Sequence, residues 1–139
     1  MPTITLLQNN FKALSKIIDI DDFIDNNEEG YLKIKSSSFM DLVIENHGCA
    51  REGVYKFSIT HYFEANGDLI ADPDMMIEVD TKNKLINALS YQDTYGYNEV
   101  YSESETGSKL VNLRQFDTQN KFLKTWLTNL KDQGFKYKA

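Results

Sequence analysis

At 139 residues the chain fits one domain, 1–139, and leaves no room for a second independent core. Its 41% hydrophobic content, with eight Tyr, eight Phe and one Trp, excludes wholesale disorder. A formal charge of −6 disfavours direct nucleic-acid binding, because most of the surface repels phosphates. No apolar run approaches the ~20 residues of a membrane-crossing helix. The first residues lack the basic start and apolar stretch of a secretory leader, so the expected setting is the cytoplasm. The single Cys49 excludes an internal disulfide and a cysteine-built metal site.

Taken in chain order, Ile4, Leu7, Phe11, Leu14 and Ile18 recur at the spacing of an amphipathic helix, with Thr5 and Gln8 as a capping box. That helix is expected to fade in the acidic Asp19–Glu29 stretch. After Gly30 the period becomes two. Leu32 and Ile34 mark a strand, Met40, Leu42 and Ile44 a second, and Asn46-His47-Gly48 a turn. The clearest strand is Tyr55–Phe63, with Tyr55, Phe57, Ile59, His61 and Phe63 on one face. Asn66-Gly67-Asp68 carries turn chemistry that calls for a positive φ at Gly67. Met75, Ile77 and Val79 resume the alternation, which predicts a hairpin with a long acidic connection. Leu85–Tyr91 and Tyr97–Tyr101 complete the strands, and Ser102–Lys109 reads as an exposed loop. A closing helix is expected over Asp117–Gln133, with Phe122, Leu123, Trp126, Leu127 and Leu130 as its stripe and Asp117 or Thr118 as its cap. Gly134 and Phe135 fit a Schellman ending. The class is therefore α+β, an antiparallel sheet of five to six strands with an N-terminal and a C-terminal helix on one face.

Charge is laid unevenly. Residues 1–108 hold nineteen acids and eight bases, whereas 109–139 hold two acids and seven bases. Ile17–Leu32 and Phe57–Thr81 each carry six acids and no base. The second of these contains the most concentrated polar segment, His61 to Asp74. Four carboxylates there, Glu64, Asp68, Asp72 and Asp74, are of the type that Mg²⁺ or Ca²⁺ takes, although the spacing fits no EF-hand. Asp72-Pro73-Asp74 also reads as an aspartate-initiated turn. His61 falls on the apolar face and is expected to be buried and hydrogen-bonded. His47 and Cys49 lack an orienting third group and do not make a nucleophilic pair. Tyr91, Tyr95, Tyr97 and Tyr101 form a tyrosine-dense run, the residue type that gives binding surfaces rigid apolar area plus a hydroxyl.

The blocks His61-Tyr62-Phe63-Glu64-x-Asn66-Gly67-Asp68-Leu69, Asp72-Pro73-Asp74-Met75 and Ser90-Tyr91-Gln92 resemble the signature of a family of uncharacterised bacterial proteins. So does the ending from Phe122-Leu123-x-x-Trp126 to Gly134-Phe135. That family is a domain of unknown function met in plasmids, phages and conjugative elements, and the resemblance spans about 31 to 135. It implies a bacterial mobile-element setting and brings no catalytic residues.

The expected function is a non-enzymatic interaction protein with a protein partner, an acidic inhibitor or accessory factor of a mobile element, with no cofactor and no metal. Its surface is assigned to Tyr62, Glu64, Asn66, Asp68, Asp72, Asp74, Tyr91, Gln92, Tyr95, Tyr97 and Tyr101. The alternative is a metal-dependent hydrolase of phosphate esters using Glu64, Asp68, Asp72 and Asp74.

Overall fold

Strict alternation over Tyr55–Tyr62 sets the plan of the molecule, because one set of side chains must leave water and the other need not. The computed structural model describes residues 3–36 and 39–137, and the side chains of these except 3, 63–65, 69 and 71. Two helices come first, α1 (Thr3–Ser15) and α2 (Ile20–Asn26). Six strands follow: β1 (Tyr31–Ile34), β2 (Leu42–Arg51), β3 (Val54–Ala65), β4 (Asp68–Asp80), β5 (Leu85–Asp93) and β6 (Gly96–Glu99). They form one antiparallel sheet in sequence order. A separate ribbon pairs β7 (Tyr101–Glu103) with β8 (Lys109–Val111), and α3 (Leu113–Asp132) closes the chain.

All three helices lie on the face that carries Phe57, Ile59, Met75, Ile77, Val79, Ile86 and Ala88, each fully buried. Phe23 of α2 meets Phe57 edge-on at 5.1 Å, while Leu123, Trp126, Leu127 and Leu130 supply the stripe of α3. Helix α3 ends in a Schellman motif. Phe135 N–H donates to Leu130 O, Gly134 N–H donates to Lys131 O, and Phe135 turns back into the core. Gly134 has φ +92° and backs onto Ser36 Oγ, where a Cβ would stand at 2.9 Å. Ser36 Oγ in turn donates to Gln133 O, which ties the helix end to the segment after β1.

Six local expectations change. On α1 the buried line is Leu6, Asn10 and Leu14, and Ile4 is exposed. Asn10 takes a core position because Asn120 of α3 receives its Nδ2. The acidic stretch does not end helicity. Asp19 caps α2 by accepting from Asp22 N–H, and Asp21 and Asp22 sit in its first turn, where the helix dipole favours negative charge. Asn46-His47-Gly48 is not a turn, since β2 runs on to Arg51 through two register shifts and the reversal comes at Glu52-Gly53. The β3–β4 connection is not long. Asn66 (φ 53°) and Gly67 (φ 84°) make a two-residue type I′ turn, as the positive φ expected at Gly67 requires. Asp72-Pro73-Asp74 then lies inside β4 beside a register shift, the setting in which a strand accepts proline. Finally, α3 starts four residues before Asp117, with Asn112 as its cap accepting from Gln115 N–H at 3.0 Å. No helix among the described residues is long and apolar enough to cross a membrane.

Candidate functional site

The face of the sheet turned away from the helices is ordered by two cross-strand rows. One runs Val43–Thr60–Asp74–Gln92–Tyr97 and the next Glu45–Ser58–Met76–Ser90–Glu99. Ser58, Thr60 and Ser90 are buried although no helix covers them, because longer side chains in the sheet wall them in. Much of the charge here is paired. Arg51 forks onto Glu78 at 2.9 and 3.4 Å, and Lys33 reaches Asp41 at 3.4 Å.

Toward the end of the sheet that holds the β3–β4 and β5–β6 turns, carboxylates and tyrosines gather, and β4, β5 and β6 carry no base. Thr60 Oγ1 donates to Asp74 Oδ1 at 3.0 Å. Burial and then the charges of Glu45 and Asp74 push the Tyr62 hydroxyl above its ordinary range. Tyr91 falls on the helix-covered face, because the register shift at Leu89 moves its parity relative to Ala88. Its hydroxyl donates to Asp93 Oδ2 at 3.0 Å. Burial first, then the Asp93 hydrogen bond and charge, then the Asp72 charge, push it up to about 12. Asp93 Oδ1 also accepts from Tyr95 and Gly96 N–H, which fixes the β5–β6 turn. Tyr95, 95% exposed, stands at the tip, and Tyr97 is exposed in the row that holds Asp74 and Gln92.

Tyr62, Asp74, Gln92 and Tyr97 thus share one patch on the open face, while Tyr91 and Asp93 stand at the same end of the sheet on its helix-covered side. Asn66 and Asp68 lie apart at the hairpin tip, six residues along β4 and roughly 20 Å from Asp74. Tyr101 also stands apart. Its hydroxyl accepts from Asn87 Nδ2, and Lys109 Nζ sits 4.3 Å over its ring. The Glu64 side chain is outside the described residues.

Other reactive groups are engaged differently. His47 Nε2 is 2.9 Å from Ser58 Oγ, but Glu45 approaches the same nitrogen at 3.9 Å and so does not orient the ring from Nδ1 as a triad carboxylate does. Cys49 Sγ donates to Arg51 O. His61 is buried as expected but not hydrogen-bonded. Both ring nitrogens are without a partner among the described residues, with Trp126 at 5.7 Å and Phe135 at 5.4 Å. Among the described residues no three His, Cys, Asp or Glu side chains gather as metal ligands.

Two features escaped the sequence reading. Asp93 is the residue that joins turn, tyrosine and charge, and its signal was its place two residues after Tyr91 on the same strand. Phe122 and Gln119 belong to one wall of a small cleft against Tyr91, and helical periodicity alone assigned Phe122 to the core.

No curated protein and no solved structure gives a match. A family described as Domain of unknown function (DUF6908) matches residues 12–136, which adds the last turn of α1 and the whole of α2 to the span of the resemblance, and the chain belongs to that family.

Proposed function

We propose that the chain is a non-enzymatic interaction protein that grips a basic protein partner with the acidic, tyrosine-bearing end of its sheet. The observation that carries this reading is the meeting of four strands, β3 to β6, there. Asp72 and Asp74 come from the base-free stretch Phe57–Thr81, Asp93 comes from the neighbouring strand, and Tyr62, Tyr95 and Tyr97 stand beside them. Carboxylates give long-range attraction for a basic partner, and tyrosines give rigid contact area at low entropic cost. The resemblance of the His61–Asp74 block adds the setting, the cytoplasm of a bacterium carrying a mobile element, where such a protein acts as an inhibitor or accessory factor.

The test is charge reversal. Asp72→Lys and Asp74→Lys are combined, and the variant is compared with the wild type for melting temperature and for proteins captured from a bacterial lysate. The expected result is a folded variant that loses a basic protein held by the wild type, with the same protein released from the wild type by raised salt. Unchanged capture overturns the reading.

A further inference from the structure

Between the β5–β6 hairpin and the first half of α3 lies a cleft of about 230 Å³, lined by Tyr91, Asn98, Gln115, Thr118, Gln119 and Phe122. Its two aromatic walls meet edge-on with centroids 5.2 Å apart, and Phe122 is 36% exposed although it belongs to the helix's apolar stripe. Phe122 also stacks on Trp126 at 5.9 Å, so its ring is held in place rather than free to collapse over the cleft.

Gln119, 2% exposed, is oriented by two hydrogen bonds. Its Nε2 donates to Asn98 O and to Gln115 Oε1, both at 3.0 Å. Flipping the amide would set an acceptor against two acceptors, so Oε1 is the spare atom, and it has no partner among the described residues. A buried acceptor without a donor is costly, and a ligand N–H would relieve it. At the outer end of the Tyr91 ring the Asp93 carboxylate holds the hydroxyl, and Asp72 adds a second negative charge. The nearest turn of α3 offers little to cancel them, because Lys121 is paired with Asp117 at 2.9 Å.

We propose that this cleft receives an arginine side chain of the basic partner, its guanidinium laid against Phe122 and Tyr91 and directed to Asp93. Aromatic faces, carboxylates and a spare acceptor are complementary to a planar cation that carries five N–H donors and no acceptor. A lysine ammonium is more strongly hydrated and cannot stack. A neutral aromatic side chain would fill the volume and leave the negative charge unanswered. The inference rests on the reading of the protein as an interaction module for a basic partner, and names the anchor.

The probe is the blocked tripeptide Ac-Gly-Arg-Gly-NH₂, titrated into the isotopically labelled full chain and followed by NMR. Its citrulline counterpart, nearly the same shape without the charge, serves as control. Saturable shifts at Tyr91, Gln119 and Phe122 with arginine, and none with citrulline, are the expected result. Binding should weaken about tenfold in Phe122→Ala and in Asp93→Asn. Asp93→Asn keeps the Oδ1 that holds the turn, and Phe122 is partly exposed, so both variants should fold. Equal response to citrulline, no saturable shift, or binding unchanged in both variants overturns the proposal. Failure here with capture still lost on charge reversal removes only the cleft. Arginine binding with unchanged capture keeps the cleft and overturns the acidic surface.

Discussion

The two faces of the six-stranded sheet are built from alternate residues of the same strands, yet they are buried by different means. Phe57 and Ser58 are sequence neighbours, and both are nearly inaccessible to water. Phe57 is covered from above by α2, through the 5.1 Å contact with Phe23. Ser58 is covered only from the side, by the longer residues around it in the sheet, and it keeps a polar partner in His47. Burial by a helix demands apolar volume, whereas burial within the plane of the sheet demands only small size. The same solvent exposure therefore stands for different energies on the two faces.

The sharpest way to break this comparison is to truncate both neighbours. Phe57→Ala leaves a cavity under a helix and should cost about 3–5 kcal/mol in chemical denaturation. A loss below about 1 kcal/mol would mean that α2 does not hold that face. A second test strikes the polar part of the covered face. Asn120 uses all its hydrogen-bonding capacity, accepting from Ala88 N–H at 2.8 Å and Asn10 Nδ2 at 3.2 Å, and donating to Asn87 Oδ1 and Phe116 O. Asn120→Leu should cost about 2–3 kcal/mol, since it strands several buried groups at once. Unchanged stability would show that water replaces the network.

His61 gives a pH-dependent test. Burial lowers its pKa below the ordinary 6.5, so the unfolded chain binds a proton that the folded chain resists. Its contribution is therefore complete above about pH 6.5 and falls as pH drops through that value, by at most about 1.4 kcal/mol per pH unit. His61→Leu should flatten this part of the stability profile between pH 7 and pH 5. A parallel profile for wild type and variant would place the titration elsewhere. The smallest effect belongs to the open face, where Ser58→Ala should cost only about 0.5–1 kcal/mol. A loss as large as that of Phe57→Ala would erase the distinction between the faces.

The sheet was legible where alternation was uninterrupted and less so where a strand is irregular. Tyr55–Tyr62 reads correctly residue by residue because the register shift against β4, at Thr60/Tyr62, puts its extra residue on β4 and leaves the parity of β3 intact. Tyr91 was assigned to an exposed surface together with Tyr97, yet the extra residue at Leu89 turns it inward, and nothing in local composition marks that shift. The α1 stripe was misread for a related reason. A hydrophobic count passes over Asn10, whose burial depends on a partner 110 positions away. The acidic Asp19–Glu29 stretch suggests a fading helix, whereas at a helix start the acids of α2 complement the dipole. Of the candidate surface, strand parity brought Tyr62, Asp74, Gln92 and Tyr97 together. Asp68 and Tyr101 were too far along the chain for pattern alone to place.

One feature of the core makes the molecule its own optical reporter. Trp126, the only tryptophan, stacks on Phe122 and also neighbours His61, and the line of rings continues through Phe135 to Phe39. A charged imidazole quenches a neighbouring indole, so acidification should dim the emission before the chain unfolds. A guanidinium settling on Phe122 should perturb the same indole through the stacked ring. Unfolding should shift its emission to the red as the ring meets water. A single unlabelled fluorophore can thus register the titration, the cleft and the fold as separate changes in intensity and wavelength.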